Sequence, residues 1–127
     1  GNLWDNFKVK NFSMFVGSEK KLLNGLKAGA AGCISATTNV TGSIAKKVFD
    51  DFHKNRNSSD DSKLKALRTV FDDTGNLISA LHTLKSLENK AYANMLPPLE
   101  MLNEEKKNKM LKKLKDLNFV SKKNIAA

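Results

Sequence analysis

The chain has 127 residues, of which 40% are hydrophobic and 28% are charged, and its formal net charge is +9 at pH 7. This length allows one modest hydrophobic core, so a single domain is expected. No apolar run approaches the ~18 residues of a membrane-spanning helix and no signal-peptide pattern opens the chain, so we expect a cytoplasmic protein with no membrane partner. Cys33 is the only cysteine, which excludes an internal disulfide and fits a reducing compartment.

The positive charge has two interpretations. A basic surface is typical of proteins that bind nucleic acid or another anionic partner. Here the lysines are scattered along predicted helices and are not grouped with aromatic residues, and Arg56 and Arg68 are the only arginines. This pattern favours a solvated lysine surface and disfavours nucleic acid as a partner. A small basic helical module that binds an anionic partner such as nucleic acid is the alternative hypothesis.

The first predicted element is a short helix near the N terminus. Asn2 is its candidate cap, and Leu3, Trp4 and Phe7 fall on one side of it. We interpret the two aromatic side chains as packing residues.

Residues 12–40 predict one strand–helix–strand unit. The run Phe12–Val16 is apolar and rich in aromatic and branched residues, as expected of a buried strand, and it stops at Gly17. Ser18 is the expected cap of the following helix. Glu19 then lies in the first turn, where the helix dipole favours an anion.

The helix of this unit has one apolar stripe, which consists of Leu22, Leu23 and Leu26. It is expected to end near Ala28-Gly29, and Gly32–Ala36 is the predicted second strand. Two strands joined by a helix of this length are normally parallel, with a right-handed crossover. Their carboxyl ends, residues 17–19 and 35–37, therefore open on the edge of the sheet that carries the chemistry in α/β proteins.

The remaining sequence predicts helices. Thr41 or Ser43 is the expected cap of the next helix, whose apolar positions keep helical spacing as far as Phe52. Asp60, Asp61 and Ser62 are available to start a further segment, which runs to about Ala93 as one long amphipathic helix or two in tandem. Its predicted weak point is Asp73–Asn76, because a glycine inside a helix costs about 1 kcal/mol.

Pro97-Pro98 predicts an extended stretch before the last helix. Asn103 is the expected cap of that helix, with Glu104 and Glu105 in its first turn. The two histidines, His53 and His82, have no second ligand nearby in the sequence and are interpreted as a surface residue and a core or interface residue. No metal site is predicted.

Several motifs occur in a characteristic order and spacing: Gly1-Asn2-Leu3, Val16-Gly17-Ser18-Glu19, the run Leu26–Val40, and Leu96-Pro97-Pro98-Leu99 followed by Asn103-Glu104-Glu105. Together they resemble the dihydrodipicolinate synthase / N-acetylneuraminate lyase family, and the resemblance covers nearly the whole chain. Members of that family are eightfold α/β barrels that use a lysine Schiff base with pyruvate or another 2-keto acid.

The resemblance implies an α/β fold that is predominantly helical: the C-terminal part of a TIM (β/α)8 barrel, with one parallel β-α-β unit followed by three to four helices. Residues 1–40 would contain the last two barrel strands with their helices, and residues 41–127 the C-terminal helical region. An eightfold barrel needs roughly 250 residues, about twice this length. The chain is therefore expected to be the C-terminal part of a longer protein.

The implied function is that of a pyruvate-dependent aldolase, a carbon–carbon lyase acting on 2-keto acids. In the family the Schiff-base lysine lies just upstream of Gly1-Asn2-Leu3, and the tyrosine of the proton relay and a carboxylate-binding Thr/Ser pair lie further upstream. None of these matches a residue here, and Tyr92, the only tyrosine, belongs to the C-terminal helices. No catalytic residue and no cofactor is assigned, and the chain alone is expected to be inactive.

The resemblance also implies a set of substrate-binding residues on two loops: Gly17, Ser18, Glu19, Ile34 and Ser35. The first loop would contact the hydroxyl-bearing part of the substrate, and the second would lie near the Schiff base, where the family places a backbone carbonyl. Lys20 and Ala36 stand where the sialic acid lyases have an acid and a serine, which disfavours sialic acid as the substrate. A 2-keto acid such as pyruvate is the expected partner of the full-length parent.

A two-stranded parallel sheet exposes edges and apolar faces that drive association. If the chain folds alone, we expect it to form a homo-oligomer with the strand region at the contact. The alternative is that the short strands rearrange and leave a mostly helical structure.

Overall fold

The structure is a computed structural model, and it describes residues 5–6 and 11–119. The elements in chain order are β1 (Phe15–Val16), a first 3₁₀ helix (Glu19–Lys21), α1 (Leu22–Lys27), β2 (Gly32–Cys33), α2 (Thr38–His53), α3 (Asp60–Asp72), α4 (Leu77–Ser86), a second 3₁₀ helix (Lys90–Ala93) and α5 (Glu104–Asp116). The N-terminal helix predicted around Trp4 and Phe7 lies largely outside the described residues. None of the described helices has the length and hydrophobicity needed to cross a membrane.

The predicted fold class is confirmed, since one parallel β-α-β unit is followed, within the described ranges, by four α-helices. These residues form two compact units, Gly1–Lys65 and Ala66–Ala127, and the division falls inside α3. The division into barrel strands before residue 41 and a helical region after it concerns the parent barrel and stays a prediction.

The two strands pair in parallel, with Phe15 opposite Gly32 and Val16 opposite Cys33. The hydrogen bonds extend past the strand ends, because the N–H of Ile34 donates to the carbonyl oxygen of Val16 at 2.9 Å. Both strands are shorter than predicted: the expected runs 12–16 and 32–36 reduce to two residues each. A residue counts as part of a strand only where a neighbouring strand pairs with it. Here each strand pairs with the other over two residues, so both strands are short.

The core of the first unit lies between the sheet and its helices. It consists of Leu22 and Leu26 from α1, Ala45 and Val48 from α2, and Leu64 from α3. The pairs Leu22/Leu26 and Ala45/Val48 keep helical spacing, so α1 and α2 each present an apolar stripe to this core, to which α3 adds Leu64.

Two helix caps were predicted correctly. The Ser18 side chain accepts a hydrogen bond from the N–H of Lys20 at 3.3 Å, at the start of the first 3₁₀ helix. The Asn103 side chain accepts one from the N–H of Lys106 at 2.8 Å, at the start of α5. Both oxygens satisfy an amide that the first turn of a helix leaves without a partner.

The predicted start of α2 was wrong, because the helix begins at Thr38 and not after Thr41 or Ser43. The hydroxyl of Thr38 donates to the carbonyl oxygen of Ser35, and the Asn39 amide donates to that of Ala36 at 2.8 Å. These side-chain bonds stabilise a turn that extends the helix towards β2. Thr41 is a buried residue inside the helix.

In the second unit the predicted weak point separates α3 from α4. Gly75 has a φ of +85°, which is accessible to glycine without steric cost and ends the helical geometry. Asn76 then caps α4, and its side chain accepts from the N–H of Ser79 at 3.1 Å. The segment is therefore two helices in tandem, the second of the two predicted arrangements.

Gly25 permits the close approach of α1 to β1. A Cβ atom at this position would lie 2.7 Å from Cγ1 of Val16, whose side chain is branched and stiff. Gly42 lies inside α2 with no atom within 4 Å of a Cβ built there, so the two glycines form a matched pair of helical positions.

We expect Gly25→Ala to lower the free energy of unfolding by about 1 kcal/mol, because overpacking costs about 1–3 kcal/mol and exceeds the ~1 kcal/mol gain in helix propensity. Gly42→Ala should raise the free energy of unfolding by about 0.5–1 kcal/mol, since only the propensity changes. Urea unfolding followed by far-UV circular dichroism measures both. Equal stabilisation by the two substitutions would show that α1 and β1 do not approach closely.

Candidate functional site

The carboxyl ends of the two strands meet at one edge of the sheet, as predicted. Gly17, Ser18 and Glu19 follow β1, and Ile34 and Ser35 follow β2. The Ser35 hydroxyl donates to Oε2 of Glu19 at 2.6 Å, so the two loops are joined directly. In parallel α/β proteins this edge is where substrates bind.

Glu19 is the centre of a group of hydroxyls at this edge, and none of its surface is exposed. Thr37 and Thr41 are also buried, and Ser35 is half-buried. Its carboxylate accepts hydrogen bonds from Ser35 and from the hydroxyl of Thr37, and Oγ1 of Thr41 lies 3.5 Å from Oε1. Oγ of Ser35 is also 3.1 Å from Oγ1 of Thr37. We call Glu19, Ser35, Thr37 and Thr41 the hydroxyl cluster.

The hydroxyl cluster has a physical reason to be stable. A carboxylate without partners is very unfavourable in a protein interior, whereas one that accepts hydrogen bonds from buried hydroxyls is compensated. Thr37 precedes α2 and Thr41 lies one turn further along it. The cluster therefore joins the loop after β1, the turn after β2 and the start of α2.

The two faces of the sheet differ in what they contact. Val16 faces α1, as its closeness to Gly25 shows, and Cys33 packs against the core of the first unit. Phe15 faces the other way, because its ring lies 3.5 Å from a Cβ built at Gly32 on the opposite strand. Successive side chains of a strand alternate between faces, so Ile34 shares the face of Phe15.

Each predicted site residue therefore has a defined position. Gly17 is exposed, and Ser18 is half-buried and caps the first 3₁₀ helix. Glu19 and Ser35 are brought together in the hydroxyl cluster. Ile34 is 72% exposed and belongs to the same face of the sheet as Phe15. Their roles in binding a substrate stay predictions.

Sequence reasoning did not find Thr37 and Thr41. Their spacing of four residues places them on the same side of a helix, directly after a predicted strand. Two hydroxyl residues at this spacing, on the buried side of a helix, indicate a shared polar partner in the core. That signal was hidden by the interpretation of Thr41 as a helix cap.

The charge of Glu19 affects the ionisation of Cys33. Its thiol is half-buried, and burial together with the nearby negative charge of Glu19 raises the pKa of Cys33 above its usual value. A raised pKa keeps the thiol protonated at neutral pH, and a protonated thiol is a poor nucleophile. Cys33 is therefore a packing residue next to the site.

Two further features of the described ranges bear on ligands. No group of three or more His, Cys, Asp or Glu side chains there is arranged to hold a metal ion. The second unit has a cleft of about 190 Å³ next to α5, lined in part by Lys106, Lys109 and Lys113 together with Asp73. Lys113 lies 3.5 Å from Asp73, so part of this positive charge is balanced within the cleft.

A parallel β-α-β unit whose loops meet at the carboxyl edge of the strands is typical of parallel α/β barrels. The chain belongs to the Dihydrodipicolinate synthetase family, which matches it over residues 5–117. This finding confirms the resemblance noted in the sequence. No curated protein matches the chain.

A similar solved structure is that of YagE from E. coli, a prophage protein belonging to the dihydrodipicolinic acid synthase family, in complex with pyruvate. The two chains share 18% sequence identity, with a TM-score of 0.75. The similarity covers 86% of this chain and 38% of the YagE chain. At this identity the likeness establishes the fold, and this chain spans well under half the length of YagE.

Proposed function

We propose that this chain supplies the last two β/α units and the C-terminal helices of a pyruvate-dependent aldolase, a carbon–carbon lyase that acts on 2-keto acids through a lysine Schiff base. The observation that carries the proposal is the parallel β1–β2 pair, whose carboxyl-end loops meet at one edge in a member of this family. Barrel enzymes place their active sites at that edge. The pyruvate bound to the similar YagE structure supports a 2-keto acid as the substrate class.

The pocket wall contributed by this chain would consist of the loops after β1 and β2. Gly17 and Ser18 lie at the end of β1, and Glu19 and Ser35 connect the two loops. Ile34 lies on the face of the sheet opposite to α1. In a complete barrel the helices cover the outside, so that opposite face is directed towards the interior.

We propose that the chain alone does not form the Schiff base. The nucleophile of such an aldolase is an amine activated by its surroundings in the barrel. The resemblance places that lysine on a strand upstream of Gly1-Asn2-Leu3, and neither β1 nor β2 contains a lysine. Lys20, in the first 3₁₀ helix, is the nearest lysine in sequence to the hydroxyl cluster.

Incubation of the chain with pyruvate and borohydride should give no covalent adduct in intact-mass spectrometry, because the amine that forms the Schiff base is supplied by another part of the barrel. A full-length member of the family that carries the lysine serves as the positive control. A stoichiometric adduct on the chain would contradict the proposal. The same experiment on Lys20→Arg would then show whether Lys20 is the residue that reacted.

The alternative of a basic module that binds an anionic partner gains no support from the positions of the lysines. Several lysines form ion pairs with carboxylates of the same chain: Lys46 with Asp50, Lys47 with Asp60, Lys65 with Asp61, Lys85 with Glu88, and Lys113 with Asp73. Local pairing of this kind is typical of a solvated surface. We therefore retain the aldolase proposal.

We also propose that the exposed apolar side chains of the sheet region are contact surfaces. Phe12, Phe15 and Ile34 are 60%, 51% and 72% exposed, respectively. In a complete barrel, neighbouring strands and the interior side chains would cover such a surface. In the isolated chain, these apolar side chains can be buried against other copies of the chain. We therefore expect a homo-oligomer.

We expect light scattering to detect an oligomer of the wild-type chain, and Ile34→Ser to shift it towards the monomer, because the substitution removes apolar area at the contact. Leu96→Ser is the matched control, since Leu96 is 84% exposed and lies in the second unit. This variant should keep the oligomeric state of the wild type. A monodisperse wild-type monomer would contradict the proposal.

A further inference from the structure

We propose that Glu19 is a positioning residue of the pocket, whose carboxylate holds the end of β2 in place and does not itself receive the substrate. The identity of the pocket rests on the proposed function. The geometry of Glu19 rests on this chain alone.

Glu19 is fully buried. The Glu19 side chain has no exposed surface, although the rest of a barrel is not present to cover it. A carboxylate oxygen can accept more than one hydrogen bond, but this carboxylate has no exposed surface and would have to turn away from Ser35 and Thr37 to meet a substrate hydroxyl. The buried hydroxyl of Thr37 and the half-buried hydroxyl of Ser35 would then lose this acceptor, which is unfavourable in a protein interior.

The hydroxyl cluster lies on the helix side of the sheet. Cys33 packs against the helical core, and Ser35, two residues further on, is directed to the same side by the alternation of the chain. The bonds from Ser35 and Thr37 to Glu19 agree with this direction. The carboxylate therefore lies on the helix side, whereas Ile34 lies on the side that faces the interior of a barrel.

The hydroxyl cluster is bonded to the end of β2. Ser35 is bonded through its side chain to Glu19, and its carbonyl oxygen accepts from the hydroxyl of Thr38. The preceding residue, Ile34, donates its N–H to the carbonyl oxygen of Val16 at 2.9 Å. Glu19 thus positions the backbone of Ile34 through Ser35. The family resemblance places this backbone near the Schiff base.

Cys33 and the Ile34 amide provide two independent measurements on the full chain. Because Cys33 is the only cysteine, thiolate absorbance measures its pKa without interference from another thiol. Amide hydrogen exchange of Ile34 measures how firmly the end of β2 is held. Neither experiment uses pyruvate, so a failure of the proposed aldolase function would leave both results valid.

Glu19→Gln removes the negative charge and keeps the size of the side chain. Hydroxyls both donate and accept, so Ser35 and Thr37 can bond to a glutamine amide. We expect the pKa of Cys33 to fall, yet to stay above its usual value because burial, the larger cause of its shift, remains. Exchange of the Ile34 amide should stay close to the wild-type rate.

Glu19→Ala removes the acceptor altogether. We expect the Ile34 amide to exchange about tenfold faster or more, as the end of β2 is released. Glu100→Gln is the control, because it changes the net charge by the same amount at an exposed position of the second unit. It should change neither measurement.

Ser35→Ala keeps the charge of Glu19 and removes one hydrogen-bond donor to it. This variant replaces Glu19→Ala in the exchange measurement if Glu19→Ala does not fold. It should speed exchange of the Ile34 amide while the pKa of Cys33 stays raised. An unchanged pKa of Cys33 in Glu19→Gln would overturn the proposal, because it would place the carboxylate away from the buried cluster. Wild-type exchange of the Ile34 amide in Ser35→Ala would also overturn it, because Ser35 would then not hold the strand end.

Discussion

The buried carboxylate of Glu19 is the constraint on which the first unit depends. It accepts hydrogen bonds from Ser35 and Thr37, so the loop after β1, the turn after β2 and the start of α2 are fixed to one another. The two strands alone overlap by only two residues each, which is a short contact for a sheet. Packing of α1 and the hydroxyl cluster provide the remaining connections between them, and together they explain why a parallel pair this short has a defined register.

The two sides of the sheet differ in their side chains at this edge. The helix side of the edge contains the charged and hydroxyl groups, which bond to one another. The opposite side contains Phe15 and Ile34, which are exposed in this chain and would face the interior of a complete barrel. In the proposed aldolase, polar contacts on the helix side would hold the loop, and the opposite surface would stay available for the rest of the pocket.

Much of this architecture could be predicted from local signals. Ser18 and Asn103 cap helices, and Gly75 separates two helices, because each of these effects depends on a few neighbouring residues. The start of α2 at Thr38 follows from short-range bonds, from the Thr38 hydroxyl to Ser35 and from the Asn39 side chain to Ala36, and the interpretation of Thr41 as a cap hid it. The burial of Glu19 could not be predicted locally, because Ser35 and Thr37 are 16 and 18 residues away from it and come close only when the strands pair. The spacing of Thr37 and Thr41 indicates a polar partner but does not identify Glu19.

β1 and β2 form a parallel pair with Phe15 opposite Gly32, and NMR of the chain in solution tests this pairing most directly. Parallel pairing in this register predicts nuclear Overhauser effects between the ring protons of Phe15 and the α protons of Gly32. It also predicts effects between the methyl groups of Val16 and the α protons of Gly25. Helical signals without either set of contacts would show that the strands rearrange in the isolated chain, and would contradict this pairing.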